Sequence, residues 1–360
     1  MRIFLAMPRK SKNPSTEKPK DSNDRNISLK ELATHLGLSP TALSIVLNDA
    51  PTANSIPQET KDRIFQAAAK FNYRPNYFAR SLRAQRSFTL GVLVPELSDG
   101  YSAMVLNGVE SVLSTEGFFY LTASHLHRED LLEHHPRMLL ERQVEGIIAV
   151  DTPIRFNPTL PVVNVSGHDE IEGVTNIILN HNSAAKFGIE HLYKLGHRKI
   201  AFIKGQDFSS DTEIRWETIM QAARERGIEI DDDLIIQLEG ENPSPEVGYA
   251  AAKKLLARKK KFTALFAFND ISAIGAIRAL QEANLKVPED VSVLGFDDIY
   301  AAAFHNPALT TIKQPLFEMG SLAAKTLLQK LAEPNGHSAE TLTVEPKLIV
   351  RQSTDKVRQK

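Results

Sequence analysis

A basic helical head followed by an α/β body of two doubly wound parallel sheets is the architecture this sequence predicts, and three observations carry it. Six short apolar runs, LGVLVP, EGIIAV, PVVNVS, KIAFI, TALFAF and VSVLGF, recur after Ser87 with helical patterns mostly between them, the texture of buried parallel strands covered by helices. The stretch that holds them is about 265 residues long, too much for one such sheet, so two sheets with a ligand cleft between them are expected. Charge is divided along the chain: residues 1–87 hold 15 Lys or Arg against 7 Asp or Glu, and the remainder 28 against 37. A formal charge of -1 thus conceals a basic head on an acidic body.

Composition removes several classes. With 42% hydrophobic and 24% charged residues, 18 Gly and 19 Pro in 360, the chain is neither collagenous nor wholly disordered. It has no cysteine, which rules out disulfides, thiolate metal sites and a cysteine nucleophile, and agrees with a reducing compartment. No apolar run approaches the roughly 18 residues of a membrane span. Ile3 to Met7 make too short an apolar stretch for a signal peptide, so the cytoplasm is expected, with Met1 and Met7 both open as starts. Residues 1–26, rich in Lys, Ser, Asn and Pro, read as a disordered basic tail.

The head follows. Ser28 and Glu31 have capping-box spacing ahead of the stripe Leu29, Leu32, Ala33 and Leu36, and Gly37 ends that helix. Ser39 with Pro40 opens a second short helix through Leu43, Val46 and Leu47, stopping near Asn48. A third opens near Pro57, with Ile64, Phe65, Ala68 and Phe71 expected on one face and its end at Asn72. Two helices around a glycine turn can seat the second in a DNA major groove; the plain alternative is a helical hairpin. In YRPNYFARSLRAQR, Arg74, Arg80, Arg83 and Arg86 interleave with Tyr77, Phe78 and Leu82. That pattern suits a short helix that orders on DNA, contacts phosphates and wedges Leu82 between base pairs, against a merely solvated linker.

The motifs LSPTALSIVLN, YRPNYFARSL, LGHRKIAFI, FNDISAIGAI, VPEDVSVLGFDD and LTTIKQP occur in that order, and with them residues 28 to about 350 resemble the lactose-repressor-type (LacI/GalR) family of bacterial transcription regulators. The resemblance implies a homodimer on a near-palindromic operator, a repressor function, and a core similar to periplasmic sugar-binding proteins. It implies base-selecting roles for Pro40 and Thr41, phosphate and helix-turn support from Ser39, Ser44 and Asn48, and a hinge helix carrying Asn76, Ala79, Arg80 and the wedge Leu82. Ile45 stands where many members have a guanine-reading arginine, so thymine-methyl contact and DNA shape must carry more of the base choice.

Ligands of open α/β sheets bind beyond the carboxyl ends of the strands. Asp99 and Tyr101, Gly205 to Asp211 leading to Arg215, Asn269 and Asp270, and Asp297 and Asp298 all follow strand runs. They supply an aromatic face, a guanidinium, an amide and carboxylates, a set suited to ring hydroxyls, although Asn and Asp at such places also serve as helix caps. The resemblance assigns effector contact to Tyr101, Arg215, Asn269 and Asp297, and also to Gln314, with a carbohydrate as effector. Two departures from the family pattern are Asp99-Gly100 for Asn-Pro and Thr218 for a glycine after Arg215. Trp216 could line the cleft or pack.

Expected divisions are a tail 1–26, a helix-turn-helix domain 27–74, a hinge helix and linker 75–87, a core 88–354 and a tail 355–360. Within the core, one subdomain takes about 88–179 and 313–343 and the other about 180–312 and 344–354. His125, His127, His134 and His135 invite a metal reading, but they lack a partnered carboxylate and read as solvated surface on a polar helix. No GxGxxG, Walker, GxSxG or HExxH pattern occurs, so no cofactor and no catalytic residue is expected. An effector-independent nucleoid-type DNA binder and an enzyme built on the α/β core are the competing functions.

Overall fold

The computed structural model describes residues 27–48, 51–74, 81, 85–98, 100–240, 244–333 and 340–358. It divides into two compact units, 1–85 and 86–360, each taken by itself below.

In the first unit, Ser28 caps α1 (Leu29–Leu36): its Oγ accepts from Glu31 N, and its own N–H donates to Glu31 Oε2 at 2.8 Å. Gly37, at φ 66°, turns the chain, with Leu38 N–H bonded back to Ala33 O at 3.0 Å. Ser39 caps α2 (Pro40–Leu47) by accepting from Ala42 N, and a 3-10 turn over Pro51–Ser55 leads to α3 (Gln58–Lys70). Leu32, Ala33, Leu43, Val46, Ile64 and Ala67 form the shared core. The expected face of α3 needs one correction: Phe65 is 51% exposed, because the neighbour of buried Ile64 sits about 100° round the helix, and Ala67 takes the inward place.

In the second unit the chain builds most of one lobe, crosses to a second, and returns. The first lobe begins with β1 (Thr89–Val94), α4 (Gly100–Leu113), β2 (Phe119–Ser124), α5 (Glu129–Glu141), β3 (Ile147–Val150), β4 (Val162–Val165) and β5 (Val174–Leu179). The second holds α6 (His181–Lys194), β6 (Ile200–Lys204), α7 (Asp211–Glu225), β7 (Ile235–Gln237), α8 (Pro245–Ala257), β8 (Ala264–Phe266), α9 (Asp270–Glu282), β9 (Ser292–Asp297), α10 (Tyr300–Phe304) and β10 (Thr310–Lys313). The chain then returns through α11 (Leu316–Ala332) and β11 (Glu340–Val344) and crosses again to β12 (Lys347–Ile349).

The strand orders are β11-β5-β4-β3-β1-β2, wholly parallel, and β12-β10-β9-β8-β6-β7, parallel except for β12. Each sheet buries apolar clusters on both faces, so each is a doubly wound layer as expected. Lys313 pairs with Asp297 and Val344 with Leu179, so the second segment of the first lobe ends at Val344, one residue beyond the expected boundary, and Lys313 belongs to the other sheet. Residues 355–358 are no loose tail: Val357 N–H bonds Leu195 O at 2.9 Å, and Asp355 O accepts from His197. Ala184, Ala185, Gly188, Ile189 and Leu192 make the inward face of α6, and Phe187 is exposed.

Each lobe also has one helix pair in backbone contact. A Cβ on Gly108 of α4 would run into the Phe317 carbonyl of α11, and one on Gly320 into the Val105 carbonyl. In the second lobe, Gly248 of α8 faces the Ser272 carbonyl and Gly275 of α9 the Pro245 carbonyl in the same way. Gly108→Ala is therefore expected to destabilise the protein by about 1–3 kcal/mol through overpacking, in spite of the better helix propensity of alanine. Urea unfolding followed by circular dichroism measures this, and an unchanged or raised midpoint would contradict so close an approach.

Candidate functional site

In the head, Ser39, Pro40 and Thr41 are exposed at the start of α2, as a reading helix requires. The Ser39 oxygen accepts from Ala42 N, so what remains for outside contact is its hydroxyl proton. The Asn48 amide donates to Ser44 O at 2.7 Å and to Ser44 Oγ at 3.3 Å, closing the end of α2. Asn76, Ala79, Arg80 and Leu82, like Asp99, lie outside the described residues.

In the body, a cleft opens where the strands of both lobes end. Its lining brings together Tyr101, Arg215, Asn269 and Asp297, and adds Asp151, Gln206, Phe208, Asp211, Phe268 and His127. Gln314 is not among the lining residues. It is fully buried and donates from Nε2 to Asp297 Oδ1 at 2.7 Å, so it holds a cleft carboxylate instead of facing the cleft.

Arg215 is the centre of the arrangement. One turn into α7, it bonds Phe268 O and Asp211 Oδ2, both at 2.8 Å, approaches Asp297 Oδ1 at 3.8 Å, and lies between the Phe268 and Phe296 rings. The other oxygen of Asp211 accepts from His168 Nε2 at 2.8 Å and His181 Nε2 at 3.2 Å. Burial alone would raise this carboxyl. The charge of His181, the two imidazole hydrogen bonds and Arg215 together hold it well below the usual carboxylate range.

His168, His181 and Asp211 have the spacing of a metal site. The chemistry fits a hydrogen-bonded triad better, because Arg215 shares the carboxylate and buried His181 Nδ1 has, among the described residues, no acceptor to orient the ring for a metal.

Contacts between the lobes converge on residues 208–211. Asp151, after β3, accepts from Ser210 N at 2.9 Å, Ser210 Oγ at 2.6 Å and Ser209 Oγ at 3.1 Å. Burial and the nearby Asp211 raise its pKa. Ser210 Oγ shares its one proton between Asp151 and Ser166 O, and Tyr101 OH bonds Ser166 Oγ at 2.7 Å. His127 stacks on Phe208 with ring centroids 3.7 Å apart. Backbone strain collects here too: His127, Asp151, Ser166 and Asp297 are non-glycine residues with φ of 55°, 41°, 60° and 109°. Arg215 Nε, Gln206 Nε2 and His127 Nε2 are buried without a protein partner among the described residues. Strained backbone and orphaned donors around one concavity point to a ligand that completes them.

Several expectations are settled by these positions. Asn269 does cap α9, its Oδ1 accepting from Ser272 N at 2.9 Å, yet it also lines the cleft. Trp216 packs edge-on against Phe202, and Thr218 bonds back to the carbonyls of Ile214 and Arg215. His125 and His127 are not on a solvated helix. They follow β2, His125 buried with Nε2 3.0 Å from Thr152 Oγ1, and burial pushes both pKa values down to about 4. Asp151, Ser166 and His168 were missed, although EGIIAV and PVVNVS invited the same strand-end argument that found Asp297.

An exposed two-helix reading motif in one unit and a two-lobed cleft with orphaned donors in the other define a class: DNA-binding regulators with a small-molecule site. Residues 189–354 match the model of a periplasmic binding protein-like domain. The chain is 30% identical over 339 residues to an HTH-type transcriptional repressor PurR of Pasteurella multocida, covering 90% of this chain and 98% of that one. Among solved structures it resembles the lac repressor bound to ONPG in the repressed state (TM-score 0.81, 25% identity, 92% of this chain and all of that one). It also resembles a complex of the transcriptional regulator CelR with cellobiose (TM-score 0.67, 25% identity, 91% and 100%). The chain belongs to the lactose-repressor-type (LacI/GalR) family of transcriptional regulators. The relatives named here are regulators and not enzymes. Among the described residues no helix is long and apolar enough to cross a membrane.

His125 and His127 are bases whose folded pKa, about 4, lies below the unfolded value near 6.5. Their contribution to stability is complete above pH about 6.5 and is lost as pH falls from there towards 4. His127→Phe keeps a ring on Phe208 and removes one titration. Its melting temperature should therefore decline less than that of the unsubstituted protein across the same window in a differential-scanning series.

Proposed function

We propose that this protein is a cytoplasmic, homodimeric transcriptional repressor whose operator affinity is set by a sugar or sugar derivative in the cleft. The observation that carries the reading is the meeting of Arg215, Asp297, Asn269 and Tyr101 in one concavity, with three polar atoms left for a ligand to engage. The bound cellobiose of CelR supports the carbohydrate assignment. Pro40 and Thr41 are the base-selecting residues, Ser39, Ser44 and Asn48 fix the helix on the backbone, and Asn76, Ala79, Arg80 and Leu82 form the DNA-ordered hinge. Gln314 acts on the effector through Asp297. The cleft serves binding, a reading supported by relatives that are transcriptional regulators.

The test begins with operator DNA selected from random duplexes by the protein itself. Asp297→Ala should lower effector affinity by about 1.5–3 kcal/mol, roughly tenfold to over a hundredfold, and leave operator affinity intact. In the unsubstituted protein, operator must change effector affinity by the same factor as effector changes operator affinity, which calorimetry with and without DNA measures. Unchanged effector binding in a folded Asp297→Ala protein would reduce this carboxylate to a structural cap. Leu82→Ala should weaken operator binding far more than binding to random duplex, since a wedge contributes only where the duplex kinks to receive it. Equal losses on the two DNAs would remove the wedge assignment.

A further inference from the structure

We propose that the cleft takes an uncharged, hydroxyl-bearing ligand and rejects the phosphorylated or carboxylated form of the same compound. This rests on the effector reading above and adds to it the charge class of the ligand.

Among the described residues three carboxylates, Asp151, Asp211 and Asp297, line the cleft, and the one Lys or Arg side chain that does so is Arg215. That cation is already engaged by Asp211, by the Phe268 carbonyl and, at 3.8 Å, by Asp297. A phosphate brought to its paired Nη2 would have to displace Asp211, whose second oxygen holds His168 and His181, and one brought to the unpaired Nε would enter a cleft lined by the three carboxylates. Lys204, at the end of β6, is not in the lining and is paired with Glu213 at 2.6 Å. His127 adds no charge at neutral pH, because burial pushes its pKa down to about 4.

Helix starts are the other common source of anion affinity. The first turns of α7 and α9 carry Asp211 and Asp270, so both positive ends already face a carboxyl group of their own. The start of α4 carries Tyr101, whose hydroxyl is held by Ser166. Burial, followed by Asp211 and Asp151, pushes that phenol well above its usual range, the direction expected of a negative local field.

A neutral hydroxyl suits what is left. It donates to carboxylates and accepts from Gln206 Nε2 and Arg215 Nε, the two donors buried in the lining without a partner among the described residues. A phosphate or carboxylate group puts charged acceptor oxygens beside oxygens that are themselves acceptors.

The experiment is isothermal calorimetry on the full chain at neutral pH. The panel consists of neutral pentoses, hexoses, disaccharides and nucleosides, each paired with its phosphate ester, and of the hexoses paired with their uronic acids. At least one neutral member should bind, with its anionic partner weaker by about a hundredfold or more. Asp151→Asn, which keeps the shape of the side chain, should narrow that gap by about tenfold. An anionic member that binds more tightly than its neutral parent overturns the proposal, as does a gap unchanged in Asp151→Asn. Silence from both arms takes down the effector reading itself and is distinguishable from either result.

Discussion

Placing the Arg215 guanidinium between Phe268 and Phe296 removes a charge from water, which costs several kcal/mol unless partners replace the lost hydration, and the cleft is built around that replacement. Asp211 answers it from one turn earlier on the same helix, and the Phe268 carbonyl from a neighbouring strand end. The carboxylate then needs partners of its own, and it finds them in His168 from the other lobe and His181 at the crossing between lobes. One buried charge thus recruits side chains from three parts of the body. The left-handed backbone at Asp151, Ser166 and Asp297 is tolerated where these contacts over-determine it.

The same contacts join the ligand site to the places where the lobes can pivot. The chain passes between lobes at residues 179–181, 313–316 and 344–347. His181 and Gln314 stand on two of these crossings and bond Asp211 and Asp297, while Asn180 bonds Val344 O and Glu345 to tie the first crossing to the third. A ligand that alters the hydrogen bonding of Asp211 or Asp297 therefore acts directly on residues whose backbone must rotate if the lobes reorient. Such a differential contact is what a two-state regulator needs in order to favour one state over the other.

The sequence made much of this legible, and what it hid has physical causes. The six apolar runs became β1, β3, β4, β6, β8 and β9, the strands buried in the sheet interiors. β2, with its mixed FYLTAS, and β11 and β12, largely exposed, lie at sheet edges, where one-sided burial leaves no continuous apolar run to notice. β5 is buried, but its VTNIIL carries an asparagine and a threonine inward, where Asn176 Nδ2 bonds Asp169 O. Tyr101, Arg215, Asn269 and Asp297 were legible because each follows a strand or opens a helix. Gln314, offered by the family resemblance alone, stands behind Asp297. His127, His168 and His181 gave none, since their roles arise from contacts with residues some 30 to 80 positions away in sequence. Periodicity reports which face of an element is buried and is silent about which loop meets which.

The reciprocal glycines of the two helix pairs have a consequence for how such a protein can diversify. At Gly108, Gly320, Gly248 and Gly275 the neighbour is main-chain carbonyl, so no compensating side-chain substitution next door can make room for a larger residue. The cleft lining is the opposite case: its polar groups sit on loops and first turns, where exchanging one residue leaves the layers behind it intact. Two lobes of fixed internal shape beneath replaceable loops separate the chemistry of recognition from the packing that holds each lobe together. A descendant of this chain could thus acquire a new signal molecule while inheriting the old layers unaltered.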